Sequence, residues 1–168
     1  MTDDANRRPG SVAMPVDGTV VECPHCGRKN RLPAAARGTP RCSNCHQPLP
    51  WIVEAHDGSF AAVVDDATVP VLVDLWAPWC GPCRAVSPVL ESLARDLAGR
   101  VKLVKVNVDE SPTLAQRFDV RGIPMLLVLH RGQKIAEHVG AAPEQTLRPW
   151  LEHAIHDAST RHAPERAG

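Results

Sequence analysis

The central third of the chain changes its hydrophobic period twice. Val69 to Trp76 (VPVLVDLW) is an almost unbroken apolar run rich in β-branched residues, which predicts a buried strand. From Arg84 to Leu97 the apolar positions Val86, Val89, Leu90, Leu93 and Leu97 fall at helical spacing. Pro88 should kink that helix after its second turn. Upstream, Trp51-Ile52-Val53 reads as a short strand and Ser59 to Val64 as a helix, with Ser59 or Asp57 as its cap. Downstream, the valine-rich alternation from Arg100 to Val108 predicts a strand. Ser111-Pro112 then opens a helix to about Phe118, serine as cap and proline at the first position. Met125 to Leu129 is fully apolar, Arg131-Gly132-Gln133 turns the chain, and Lys134 to Val139 returns as a strand. Leu147, Trp150, Leu151, Ala154 and Ile155 form one helical stripe, and Pro149 puts the start of its regular helix nearby. The order is β-α-β-α-β-α-β-β-α: a parallel half and a hairpin half, with helices on both faces of one sheet.

The two ends depart from this pattern. Residues 1–18 are polar and contain Pro9, Gly10, Pro15 and Gly18, which predicts a flexible arm; residues 158–168 read as a disordered tail. The domain reading is therefore an arm at 1–18, a small module at 19–50, a main domain at 51–157 and the tail. Pro48-Leu49-Pro50 marks the short linker between module and domain. At 168 residues the chain has room for one ordinary domain and a small extra one, and its 43 % apolar and 23 % charged content is globular. Net charge is zero. Residues 1–50 carry seven Lys/Arg against four Asp/Glu, and 51–168 twelve against fifteen, so neither half (+3 and −3) argues for a nucleic-acid partner. No stretch approaches the roughly 18 apolar residues of a membrane span. Behind the charges of residues 1–8 there is no apolar leader core, so a cytoplasmic protein is expected.

All six cysteines fall into three CxxC pairs: Cys23/Cys26, Cys42/Cys45 and Cys80/Cys83. Such short spacing points to metal or redox chemistry in a reducing compartment, not to a secreted disulfide framework. The first two pairs make C-x2-C-x15-C-x2-C, a structural zinc spacing in which each CxxC turn offers two thiolates to one tetrahedral ion. Gly27 lets the backbone take a positive φ as it wraps the metal. About 30 residues with few large apolar side chains cannot bury enough surface to fold alone, and one structural zinc would supply the difference. Other readings stand beside this one. Cys23-Pro24-His25-Cys26 resembles the dithiol of oxidising disulfide enzymes, although Gly27 and a polar run follow it where those sites open a helix. Arg28, Lys29, Arg31, Arg37 and Arg41 make the module basic, but no aromatic side chains interleave for nucleic-acid stacking. His25 and His46 are spare ligands next to four cysteines.

The third pair lies in Trp79-Cys80-Gly81-Pro82-Cys83, where a buried strand ends and a helix begins. Free N–H groups and the helix dipole there favour negative charge, and thiolate is the nucleophilic form of cysteine, so Cys80 is the reactive one. Cysteines at i and i+3 on a first helical turn can close a small disulfide, a reversible two-electron switch.

From about Trp51 to Ile155 the chain resembles thioredoxin. The matching pieces are Val73-Asp74-Leu75-Trp76-Ala77-Pro78-Trp79-Cys80-Gly81-Pro82-Cys83, Lys105-Val106-Asn107-Val108-Asp109, Val120-Arg121-Gly122-Ile123-Pro124 and Val139-Gly140-Ala141. With the N-terminal cysteine pairs added, it is similar to the zinc-carrying bacterial type, thioredoxin 2. The resemblance implies an α/β thioredoxin fold, a central mixed sheet with helices on both faces, preceded by a small zinc-ribbon-like module. It implies a protein-disulfide reductase acting by dithiol–disulfide exchange, with Cys80 as attacking thiolate and Cys83 as resolving thiol. Asp74 matches the buried carboxylate beneath the site; desolvation should raise its pKa and fit it to take the proton from Cys83. Lys105 matches the lysine near that carboxylate, and Pro124 the cis-proline facing the cysteines. Trp79, Gly81, Pro82, Ile123 and Gly140 map onto the apolar docking surface, while Trp76 packs in the core beside the site.

The departures are Pro78 where relatives often carry a charge, Met125 after the cis-proline, and Leu75 in place of an aromatic; none removes a reacting group. No GxGxxG fingerprint occurs, so no nucleotide is bound by this chain, and electrons come from an NADPH-dependent thioredoxin reductase. The implied partners are that reductase and disulfide-bearing target proteins, with no membrane and no nucleic acid, and the chain is a monomer. Two rival functions are a disulfide oxidase or isomerase, and a redox-inert chaperone or regulatory subunit. A third possibility makes the zinc module a redox sensor, because oxidising its cysteines would eject the metal.

Overall fold

The computed structural model describes residues 18–36 and 38–161. The arm expected at 1–18 lies outside the described residues except for Gly18, and so does the tail beyond Arg161.

Two strands, β1 (Thr19–Glu22) and β2 (Lys29–Leu32), form an antiparallel hairpin. A five-stranded mixed sheet follows, built from β3 (Ile52–Glu54), β4 (Val71–Trp76), β5 (Lys102–Asn107), β6 (Met125–His130) and β7 (Gln133–Val139). Its spatial order is β3-β5-β4-β6-β7, parallel across β3, β5 and β4 and antiparallel from β4 to β7. The helices are α1 (Gly81–Asp96), α2 (Pro112–Arg117) and α3 (Glu144–Arg161).

Strand alternation sorts the core into two layers. Val71, Val73, Leu75, Val104, Val106, Met125, Leu127 and Leu129 pack on one face with Phe60, Val63, Val64 and Leu114. Leu72, Leu103, Leu126 and Val128 point the other way, onto Val86, Leu90 and Leu93 of α1 and Leu147, Leu151 and Ile155 of α3. Because both faces are covered, β4 and β6 are hydrophobic almost throughout. Asp74 and Lys105 share the face of Leu72 and Leu103, so they lie on the α1 side.

The small cysteine module is part of the first layer. Cys23, Leu32, Ala34, Cys42 and Leu49 are buried in one cluster with Trp51, Val53 and Phe60. Trp51 Nε1 donates to the Pro33 carbonyl at 3.2 Å, and Gly38 N–H to Thr68 Oγ1 at 3.1 Å. The buried ammonium of Lys102 donates to the carbonyls of Ala34 and Val63 and lies 4.0 Å from the Trp51 ring centroid.

Several local expectations need correction. In place of a regular helix over 59–64 there is one π-helical turn, Ala61–Asp65, closed by Asp66 N–H to the Ala61 carbonyl at 2.9 Å. Asp57 does not cap that turn; its carboxylate caps α2, accepting from Thr113 N–H (3.1 Å) and Leu114 N–H (2.9 Å). Ser111 therefore makes no side-chain cap, and its buried Oγ has no hydrogen-bond partner. Helix α1 runs unbroken through Pro88, and α3 begins at Glu144, well before Pro149, with the Thr146 and Leu147 N–H groups bonded to the Pro143 carbonyl. Residues 158–161 belong to α3 and not to a tail, and Ala158 is fully buried.

Candidate active site and cysteine cluster

The Trp79–Cys83 segment lies where β4 hands over to α1. Cys80 is the residue before the first helical turn, with extended backbone (φ −85°, ψ 108°), and its Sγ accepts the Cys83 N–H at 3.2 Å. Gly81-Pro82 opens the helix, and proline costs nothing there because its missing N–H would have no helical partner. Cys80 and Cys83 are joined by a disulfide, with Cα atoms 5.3 Å apart. The Ile123–Pro124 peptide bond is cis, and the Ile123 carbonyl oxygen lies 3.8 Å from Cys80 Sγ. Pro124 is itself held from behind, its carbonyl accepting Gly140 N–H at 2.8 Å. Gly140 has φ +96°, a conformation glycine adopts without strain.

Around the disulfide the surface is apolar and open. Trp79 is 70 % exposed, and its indole N–H donates to Asp109 Oδ2 at 3.0 Å. Gly81 and Pro82 are exposed and Ile123 is half-buried. Val139, which is not in the docking set expected from the sequence, adds an exposed apolar side chain next to Gly122.

Asp74 is buried and its Oδ1 has no hydrogen-bond partner. Desolvation pushes its carboxyl up to about 6, against the nearby Lys105 charge and with the help of Glu91. Lys105 is its register partner across β4 and β5, but the ammonium donates to Ser87 Oγ (2.7 Å) and Glu91 Oε1 (2.6 Å) on α1. Trp76 is half-buried and does not pack in the core; it lines a cavity of about 300 Å³ with Lys105, Asn107 and Ser111.

Residues 51–153 match the family model described as Thioredoxin. The chain belongs to the thioredoxin family. It is thus a thiol–disulfide oxidoreductase. Thioredoxin 1 of Nostoc sp. is 50 % identical over 96 residues, covering 57 % of this chain and 90 % of the relative. Thioredoxin of Haemophilus influenzae is 43 % identical over 104 residues, 62 % of this chain and 97 % of the relative. Thioredoxin C-2 of Corynebacterium nephridii is 46 % identical over 104 residues, 62 % and 96 % of the two chains. The five-stranded sheet with its flanking helices is the thioredoxin fold.

Outside the matched thioredoxin region lies the second cluster. The sulfurs of Cys23, Cys26, Cys42 and Cys45 all lie within 4.8 Å of one another, with Cys23 to Cys45 at 3.6 Å and Cys26 to Cys42 at 3.5 Å. Four sulfurs at 2.3 Å around a tetrahedral ion would stand about 3.8 Å apart, so the set fits a thiophilic metal. His25 and His46 are not among the four donors. The two halves repeat one design. Gly27 N–H bonds to the Cys23 carbonyl (2.9 Å) and His46 N–H to the Cys42 carbonyl (3.0 Å), with positive φ at both Gly27 (74°) and His46 (60°). Asn30 ties them together, its Nδ2 3.6 Å from Cys42 Sγ and its Oδ1 accepting Ser43 N–H at 2.9 Å.

Without a cation, the surroundings of these thiols favour the thiolate at Cys42 and oppose it at Cys45. The backbone N–H of Cys45 and, against burial, that of Asn44 and the Asn30 amide bring Cys42 down to about 6. Cys45 is pushed up to about 12: the Gln47 N–H favours its thiolate, but burial and the three neighbouring cysteines outweigh it. A bound divalent ion would remove that conflict. Among the described residues, no helix is long and apolar enough to cross a membrane.

Proposed function

We propose that this chain is a zinc-containing thioredoxin of the thioredoxin 2 type, reducing protein disulfides through Cys80 and Cys83 in the cytoplasm. The observation that carries the reading is Cys80 capping α1 directly opposite cis-Pro124, with an open apolar rim around it. In the reduced protein the Cys80 thiolate is stabilised by the Cys83 N–H and the helix N-terminus. It attacks one sulfur of a target disulfide, forming the mixed disulfide and expelling the other target sulfur as thiolate, which takes a proton from solvent. The Cys83 thiol then gives its proton to the Asp74 carboxylate and attacks Cys80 Sγ, and the second target sulfur leaves. Two electrons pass from this chain to the target, and the Cys80–Cys83 disulfide remains.

The target backbone lies along the Ile123-Pro124 loop, with Trp79, Gly81, Pro82, Ile123 and Gly140 as its docking surface. An NADPH-dependent thioredoxin reductase returns the two electrons, because the chain itself has no nucleotide-binding fingerprint. In the module at residues 19–50, Cys23, Cys26, Cys42 and Cys45 would hold one zinc ion, whose contribution is structural.

Insulin reduction by the full chain with dithiothreitol, and then with NADPH and a bacterial thioredoxin reductase, tests this function. Wild type should turn insulin over, Cys80→Ser should abolish turnover, and Cys83→Ser should accumulate mixed disulfide through Cys80. Activity surviving Cys80→Ser would overturn the assignment.

A further inference from the structure

Cys83, Ser87 and Glu91 lie at i, i+4 and i+8, one row along α1. The lower two members of that row hold the Lys105 ammonium, at 2.7 Å from Ser87 Oγ and 2.6 Å from Glu91 Oε1. Lys105 belongs to β5 and is the register partner of Asp74 on β4. The opposite-charge partner that the sheet brings beside Asp74 is thus drawn onto the helix, while Asp74 Oδ1 stays buried without a hydrogen bond.

We propose that Glu91, assisted by Ser87, is a positioning residue for the resolving step: by anchoring the Lys105 ammonium on α1 it leaves Asp74 available to carry the proton released by Cys83. The proposal rests on the exchange reaction described above. No new bond chemistry is involved; the proton moves from Cys83 Sγ to the Asp74 carboxylate as before, and Glu91 decides how tightly that carboxylate holds it. Released from Glu91, the lysine would be free to neutralise Asp74 and weaken it as a proton acceptor. Glu91 also raises the proton affinity of Asp74 directly by like charge, in the same direction.

The other groups around Asp74 do not offer this control. Leu126, its register partner on β6, is apolar. Glu54, next to Lys105 on β3, is exposed, as are His56 and Glu110 across the cavity that Lys105 lines. Cys83 is the proton donor itself. Glu91 is the carboxylate bonded to the lysine, in an ion pair whose side chains are 17 % (Lys105) and 35 % (Glu91) exposed.

The test reads the titration of Asp74 by carboxyl carbon-13 NMR in the full-length, reduced, zinc-loaded protein, with Asp74→Asn to assign the signal. Glu91→Gln, which keeps shape and removes charge, should lower the midpoint by about one pH unit, a tenfold loss of proton affinity. Ser87→Ala should move it the same way by less. In a Lys105→Gln background the Glu91→Gln shift should shrink to less than about half, because the lysine that carries most of it is gone. An unmoved midpoint in Glu91→Gln, or a shift of equal size without Lys105, would overturn the proposal. Insulin reduction by wild type from the same preparation separates the two failures: an inactive wild type sinks the exchange reading, whereas an active wild type with an unmoved midpoint sinks the role of Glu91 alone.

Discussion

Asp74 and Lys105 stand opposite each other in register across β4 and β5, yet the ammonium of Lys105 is bonded to Ser87 and Glu91. A carboxylate and a lysine on adjacent strands would ordinarily pair and hold the acid ionised. Here burial prevails, and the Asp74 carboxyl is pushed up to about 6 from its ordinary 3.8. A group of this kind serves proton transfer near neutrality at the expense of stability.

That expense has a sign and a pH window. The folded state holds the Asp74 proton up to about 6, while the unfolded chain releases it near 3.8. Its stabilising contribution is therefore complete below 3.8 and lost as pH rises through 6. Asp74→Asn is neutral throughout, so its stability relative to wild type should improve by about 2 kcal/mol between pH 4 and pH 8. Urea unfolding of both proteins at the two pH values measures this. A constant difference would mean that Asp74 titrates alike in both states.

What the sequence made legible, and what it did not, divides by range along the chain. The CxxC pairs, the buried strand through Asp74 and the helical stripe of α1 are local patterns, and the fold places them as read. The hairpin β1–β2 was hidden because only Asn30 and Leu32 of Lys29–Leu32 are buried, too brief an alternation to read. Asp57 as the cap of α2, Glu91 as the partner of Lys105, and Asn30 as the link between the cysteine turns depend on partners 12 to 57 residues away. No periodicity carries that information. Pro149 misled for a different reason: in the second turn of α3 it forfeits only one backbone bond, and burial of Leu147 and Leu151 outweighs the loss.

The cysteine module should respond to metal as part of the main core. Cys23 and Cys42 are 2 % and 1 % exposed and share a cluster with Trp51, Val53 and Phe60. The purified, reduced chain should hold one zinc and show two fast-reacting thiols, Cys80 and Cys83. Stripping the metal under reducing conditions should lower the melting temperature and expose Trp51 to solvent, a red shift in its fluorescence. Insulin reduction at 25 °C should persist, because Cys80 lies outside the module. Six fast thiols in a metal-free protein of unchanged melting temperature would contradict this account.

Asp57 anchors α2 from a distance. Its carboxylate accepts two N–H groups of the first turn, and these bonds hold its pKa below the ordinary carboxylate range despite burial acting the other way. Asp57→Ala should speed amide exchange at Thr113 and Leu114 and lower the melting temperature. In wild type the protection of those two amides should be present at neutral pH and fade as Asp57 is protonated in acid. Exchange that is unaffected by the substitution would move the cap elsewhere.

Lys102 ties the cysteine module to the sheet by an arrangement with its own pH signature. Its side chain is fully buried, donates to the Ala34 and Val63 carbonyls, and lies over Trp51. Lys102→Met fills similar space but abandons both carbonyls, at about 1–3 kcal/mol for each one left unsatisfied. Burial lowers the amine to about 8 from 10.5, so between those values the folded state has released a proton that the unfolded chain still binds. Wild-type stability thus gains from this group as pH rises through that interval. A neutral amine keeps two N–H donors, enough for both carbonyls. Lys102→Met should therefore be less stable than wild type at pH 7, and the gap should widen at pH 10. Equilibrium urea unfolding at the two pH values reads both quantities. A gap that narrows toward pH 10 would mean that the ammonium, held by its carbonyls and the Trp51 face, is more stable inside the protein than in the unfolded chain.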